Sequence, residues 1–181
     1  MDVGAGDGRY ALAAAGPDTL AIAVDAHGPA MAPAWRRVQR QRLDNVLLVV
    51  ARAEELPSEL DGMADAVTVH FPWGSLLRGV LEVEAEVAHG LARIAKPGAC
   101  VTAVLSVTDH ERSLALPVPD ERLGPVLAER YAAHGLTLAE WRPATRDEIE
   151  ATRSSWASRL GAGRRRPAWR LRLVRDGTLP E

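Results

Sequence analysis

One cysteine, one lysine and one phenylalanine in 181 residues set the first limits on this chain. The lone cysteine, Cys100, has no partner for an internal disulfide, and its place in an apolar run predicts a buried thiol. No apolar run reaches the roughly 20 residues that a membrane-spanning helix needs. The N-terminus lacks a basic segment followed by an apolar one, so no signal peptide and a cytoplasmic location are expected. Lys96 is the single lysine, and an arginine- and alanine-rich composition points to a GC-rich coding sequence. No metal is expected.

A net charge of -2 gives no global attraction for a polyanion. The arginines are nonetheless clustered. Arg36, Arg37, Arg40 and Arg42 form one group, and Arg159, Arg164, Arg165, Arg166, Arg170, Arg172 and Arg175 form another near the C-terminus. Arg36 and Arg40 share a helix face by their i,i+4 spacing.

Short apolar runs alternate with longer helical patterns. Strands are predicted at Leu20 to Val24, Val46 to Val50, Ala66 to Val69, Ala99 to Ser106, Leu136 to Trp141 and Ala168 to Val174. Helices are predicted at Tyr10 to Ala15, Ala30 to Arg42, Leu76 to Ala95, Glu121 to His134 and Arg146 to Leu160, with Pro97-Gly98 stopping the long middle one. This alternation predicts one α/β domain over residues 1–181, a mostly parallel sheet covered on both faces. The C-terminal pair of strands could add an antiparallel member.

The chain opens Met1-Asp2-Val3-Gly4-Ala5-Gly6-Asp7-Gly8, a strand end running into a glycine-rich turn. Glycine allows a sharp turn and close approach to a ligand. Asp2 stands where a carboxylate can hold a cationic amino group, such as that of a methionine moiety. Asp25 ends the second strand, where an acid can accept hydrogen bonds from both ribose hydroxyls. Ala53-Glu54 follows the third strand, where an amide and an acid can read an adenine edge. Singly, Asp25 could cap a helix and Glu54 could be solvated; in this order after three successive strands, they suit S-adenosylmethionine. The pattern alone leaves a dinucleotide open, although no proton relay for hydride transfer stands out.

Five tryptophans against one phenylalanine and two tyrosines form an unusual aromatic set. Trp35, Trp141 and Trp169 fit packing positions. Trp73, in Phe71-Pro72-Trp73-Gly74-Ser75-Leu76-Leu77-Arg78-Gly79, and Trp156, in Ser154-Ser155-Trp156, fall in loop-like polar contexts. His70 beside the first of these loops is read as structural rather than as a proton carrier.

Together with Asp2-Val3-Gly4-Ala5-Gly6-Asp7-Gly8 and Ala53-Glu54, those two segments resemble the aminoglycoside-resistance 16S rRNA (adenine-1408, N1) methyltransferases, in order and approximate spacing over nearly the whole chain. The resemblance implies a class I methyltransferase sheet of about seven strands with an antiparallel C-terminal strand, and S-adenosylmethionine as cofactor held by Asp2, Gly4, Gly6, Asp25, Ala53, Glu54 and Ser75. It places on Trp73 and Trp156 the role of sandwiching a flipped adenine, on the Pro72 carbonyl that of binding its exocyclic amine, and Ser154 near the flipped nucleotide. It implies docking on 16S rRNA of the small ribosomal subunit through basic side chains, here Arg36, Arg37, Arg40, Arg164 and Arg166, and resistance to kanamycin- and apramycin-type aminoglycosides. A monomer is expected.

Two departures stand against the family pattern. Only three residues precede Gly4, where about five or six make a typical strand. The expectation is a truncated central strand, its start and a preceding hairpin encoded upstream. The docking lysines of the family are arginines here or missing. Alternatives are an enzyme of the same fold with another acceptor, such as tRNA guanine-N7, and a truncated non-catalytic relative that binds cofactor or RNA.

Overall fold

The computed structural model describes residues 1–107, 116–163 and 166–177. Seven strands form one sheet in the order β3-β2-β1-β4-β5-β7-β6. The strands are β1 (Asp2–Val3), β2 (Ala21–Asp25), β3 (Val46–Val50), β4 (Ala64–His70), β5 (Ala95–Leu105), β6 (Leu136–Pro143) and β7 (Trp169–Arg175). Strands β1 to β5 pair in parallel, and β7 runs antiparallel to both β5 and β6. The expected seven-stranded α/β architecture with its antiparallel C-terminal strand is therefore present.

Alternation along β2 shows why the sheet is covered on both faces. Ile22 and Val24 enter the main core, whereas Ala21 and Ala23 pack with Ala11 and Met31 on the other side. The first side receives α3 (Gly74–Glu82) and α4 (Ala85–Ile94); the second receives α1 (Arg9–Ala14). The remaining helices are α2 (Ala32–Gln41), α5 (Leu123–Ala132), α6 (Arg146–Ala151) and α7 (Ser155–Leu160).

Two long predicted helices are each two shorter ones. The pattern from Leu76 to Ala95 breaks at Val83, which adopts φ 57 and is buried, so α3 and α4 fold back on each other. They meet where a Cβ on Gly79 would lie 2.5 Å from Val87. The pattern from Arg146 to Leu160 breaks at Thr152 to Ser154, between α6 and α7. Pro97-Gly98 does not stop a helix. Strand β5 starts at Ala95, and Lys96 to Ala99 bulge out between the pairs Ala64–Ala95 and Ala66–Cys100.

Other packing expectations also change. Cys100 is half-buried, and its sulfur accepts a 3.1 Å bond from Arg172. Trp169 is buried and stacks on Trp141 with ring centroids 4.9 Å apart, as packing residues would. Trp35 is 55% exposed, because α2 turns Ala34 and Val38 inward and leaves Trp35 off that stripe.

Helix α4 is pressed against the short turn at Ala53–Glu55. A Cβ on Gly90 would stand 2.6 Å from the Ala53 carbonyl oxygen. Gly90→Ala is expected to destabilise the fold by about 1–3 kcal/mol through overpacking, read as a lower denaturant midpoint.

Candidate active site

The order of the strands reverses between β1 and β4, and open α/β sheets bind ligands beyond the carboxyl ends of the strands at such a point. A cleft of about 460 Å³ lies there, within the size range of small-molecule sites. The glycine-rich turn forms one wall. Gly4 and Ala5 donate their amides to the Val24 carbonyl at 2.8 and 3.0 Å, which ties the turn to β2. Gly4 has φ 76, and a Cβ on it would stand 2.6 Å from Leu76, so only glycine fits. Gly6, at φ 56, donates its amide to Asp25 Oδ2 at 2.7 Å. The His27 amide binds Asp25 Oδ1 at 2.8 Å. Two amides thus fix the Asp25 carboxylate at the end of β2, on the edge of the cleft.

Asp2 lies deeper and is 3% exposed. Burial raises its pKa to about 7, opposed by a 2.8 Å bond from the Thr68 hydroxyl and by the N-terminal ammonium. His70, at the end of β4, is pushed down to about 4 by burial and then by the Arg170 charge. Its Nδ1 is 3.6 Å from Asp2 Oδ1 and has no hydrogen-bond partner among the described residues. The pair is not a charged ion pair, because His70 is neutral near pH 7. The Tyr10 ring meets His70 edge-on at 4.3 Å. A neutral, buried imidazole fits the structural reading given to it.

Glu54 is one-fifth exposed. Burial would raise its pKa, but its own backbone amide, the Ser75 hydroxyl and Arg52 outweigh that and hold it low. Ser75 therefore stands beside Glu54, and Ala53 is buried just before it. All seven residues expected to hold a cofactor line this one cleft.

Pro72, Trp73, Ser154 and Trp156 line the same cleft. Trp73 is 68% and Trp156 43% exposed, although both are large apolar rings. Each follows a residue in the left-handed region: Phe71 at φ 47 and Arg153 at φ 53. Such a conformation costs a non-glycine residue about 1–2 kcal/mol. Phe71 is buried under the first loop, where its amide binds the Val104 carbonyl at 2.6 Å. Beneath the second, the buried Thr152 hydroxyl donates to the Ile149 carbonyl at 2.7 Å and accepts the Ser154 amide at 3.2 Å. Ser154 then caps α7 by accepting the Ala157 amide at 3.2 Å. The Ser155 hydroxyl donates to Asp7 Oδ2 at 3.1 Å and joins the Trp156 segment to the glycine-rich turn.

A family model described as NpmA, 16S rRNA (adenine(1408)-N(1))-methyltransferase, matches residues 1–175. The chain belongs to that family. It is 36% identical over 179 residues to the 16S rRNA (adenine(1408)-N(1))-methyltransferase of Streptoalloteichus tenebrarius, covering 92% of this chain and 81% of that protein. The Escherichia coli protein of the same description is 29% identical over 184 residues, covering 94% of this chain and 84% of the relative. A tryptophan-to-alanine variant of the enzyme from Catenulisporales acidiphilia, crystallised with its cosubstrate SAM, superposes with a TM-score of 0.84 at 34% identity, over 97% of this chain and 84% of the other. The methyltransferase KamB gives the same TM-score at 33% identity, over 97% and 86% of the two chains.

The arginines divide. Arg36, Arg37 and Arg40 are exposed on α2, which carries no acidic residue. Within the C-terminal group, Arg170 and Arg172 are committed to Glu140 and Glu148 on the face of β6 and β7 away from the core. Arg175 binds the carbonyls of Ala92, Asp176 and Gly177. Arg166 is half-buried, less open than a docking residue was expected to be. Arg164 and Arg165 lie outside the described residues. Sequence reasoning missed the Asp7–Ser155 bond, the Thr152 hinge and Arg153. The cap signal Thr-Arg-Ser-Ser was present inside a segment taken as one helix.

The raised pKa of Asp2 has a thermodynamic sign. Its folded value lies above the unfolded one near 4, so its stabilising contribution is complete below about pH 4 and is lost as pH rises through about 7. Asp2→Asn should flatten the pH dependence of unfolding free energy in that window, by at most about 1.4 kcal/mol per pH unit. Unchanged pH dependence would mean the carboxyl stays ionised.

Proposed function

We propose that this chain transfers a methyl group from S-adenosylmethionine to N1 of the adenine at position 1408 of 16S rRNA in the small ribosomal subunit, and so confers aminoglycoside resistance. The observation that carries this reading is the pair of exposed tryptophans, Trp73 and Trp156, in the same cleft as three acids at the ends of β1, β2 and the turn after β3.

The donor set fits the cofactor. Asp2 offers a buried carboxylate to an ammonium, Asp25 a fixed carboxylate to ribose hydroxyls, and Ala53 and Glu54 an amide and an acid to an adenine edge. Gly4 and Gly6 leave room for close approach. When bound, S-adenosylmethionine supplies an electrophilic methyl group.

Adenine N1 carries an in-plane lone pair and is unprotonated at neutral pH, so the reaction needs no general base. That agrees with a neutral His70. The residues must align the base, and alignment lowers a barrier by several kcal/mol. A base within helical RNA hides N1 and must be extruded. Trp73 and Trp156 offer it two stacking faces, each worth about 1–3 kcal/mol. Their faces also stabilise the positive charge that develops on the base. The Pro72 carbonyl accepts from the exocyclic amine, and Ser154 lies beside the flipped nucleotide. Arg36, Arg37 and Arg40 on α2 meet rRNA phosphates.

Primer extension on 16S rRNA after incubating small subunits with the protein and S-adenosylmethionine is expected to stop at the modified adenine. No stop, or a stop elsewhere, would reject the acceptor. Trp73→Ala and Trp156→Ala should each cut methyl transfer by about tenfold or more while leaving cofactor affinity within twofold, and Phe should retain more activity than Ala. Asp25→Ala should weaken cofactor binding by about 1–3 kcal/mol in calorimetry. Removing Arg36, Arg37 and Arg40 together should flatten the salt dependence of subunit binding.

A further inference from the structure

Beside the cleft lies a second hollow of about 910 Å³, edged by Arg9, Arg146 and Arg153. The two hollows share Arg153, Ser154 and Ser155, so Arg153 stands where one opens into the other. The edge is basic and exposed, but its members differ. Arg9 is 3.0 Å from Asp7, and Arg146 is 2.7 Å from Glu150. Arg153 is exposed, and among the described residues no side chain pairs with it. Its backbone is nevertheless fixed. The Arg153 amide donates to the Glu150 carbonyl at 3.1 Å, and the Thr152 hinge holds the residues on either side. A glycine would adopt φ 53 at lower cost. The position instead carries a guanidinium with no side-chain partner among the described residues, at the mouth of the cleft and three residues before Trp156.

We propose that Arg153 binds a backbone phosphate of the RNA strand adjoining the extruded adenine, and that the hollow beyond it, edged by Arg9 and Arg146, receives that strand as it leaves the cleft. This rests on the RNA-methylating activity proposed above. A base drawn between Trp73 and Trp156 stays attached to its sugar and its two flanking phosphates, so negative charge must reach the rim of the cleft. The guanidinium is a planar fork matched to phosphate oxygens and is weakly hydrated. About half or more of the hydrogen bonds in protein–nucleic acid complexes go to the backbone and fix register. The pinned main chain gives this contact a defined position relative to Trp156, which long arginines on α2 do not have.

The test measures binding of small ribosomal subunits over a series of salt concentrations for wild type, Arg153→Ala, Arg153→Lys and Arg153→Gly, with S-adenosylmethionine affinity and melting temperature for each. Arg153→Ala is expected to weaken subunit binding about tenfold and to reduce the log–log salt slope by about one, with cofactor affinity within twofold of wild type. Lysine should restore most of the slope. Glycine should melt no lower than wild type yet lose the same slope, which separates the charge from the fold. An unchanged slope in Arg153→Ala overturns the inference. So does a tenfold loss of cofactor affinity at an unchanged slope, which would place Arg153 on the cofactor carboxylate. If wild type neither binds nor methylates small subunits, the proposed activity falls and this contact with it. If wild type methylates and Arg153→Ala keeps its slope, the contact alone falls.

Discussion

The Gly6 amide and the Asp25 carboxylate meet at 2.7 Å, and the site is organised around that bond. It joins the turn after β1 to the end of β2, with the Gly4 and Ala5 amides converging on the neighbouring Val24 carbonyl. The turn is thereby held open in a left-handed path that glycine alone follows without strain. Several residues that face the cleft lie at or beside this junction. Asp2 lies just before it, Asp25 is part of it, and Leu76 on α3 closes against Gly4 from the side.

The second half of the chain reaches the same point by a longer route. The antiparallel pair of β6 and β7 adds to the sheet beside β5, with Trp169, Leu171 and Leu173 in the core. The opposite face of that pair holds Arg142, Arg170 and Arg172 against Glu140 and Glu148. Side-chain bonds from Arg142 hold Glu148 well below the usual carboxylate range. Much of the apparent basic surface near the C-terminus is thus internal charge balance. The segment between β6 and β7 crosses to the glycine-rich turn, where Ser155 meets Asp7. A hydrogen bond between residues 148 positions apart and the packing of Ala157 with Phe71 accompany the Trp156 ring at the cleft that Trp73 also lines.

Two loops at this cleft each hold a left-handed residue, and two tryptophan rings there are exposed rather than packed in the core. Phe71 and Arg153 are each held by an amide bond, Phe71 to the Val104 carbonyl and Arg153 to the Glu150 carbonyl. Exposed tryptophan is a loss for a free protein and a gain for one that stacks a base. The left-handed residues and the exposed rings lie at one cleft, the place where the proposed reaction puts the extruded base.

Much of this was legible residue by residue. Strand and helix alternation, the glycine-rich turn, Asp25 at a strand end and Ala53-Glu54 after the next strand are local signals, set by backbone sterics and by side-chain periodicity. Even the exposure of Trp35 was latent there, since Met31, Ala34 and Val38 already define the buried stripe of α2. The break at Thr152 to Ser154 carried a local cap signal that helical periodicity masked, whereas the break at Val83 had none, because it comes with burial of Val83 and the packing of α3 on α4. The same holds for the arginines. Sequence determined that there would be many near the C-terminus, but tertiary structure decided, among the described residues, that Arg170 and Arg172 pair with glutamates and that Arg153 stands at the mouth of the cleft. Charge and periodicity are properties of neighbours in the chain; partnership is a property of neighbours in space.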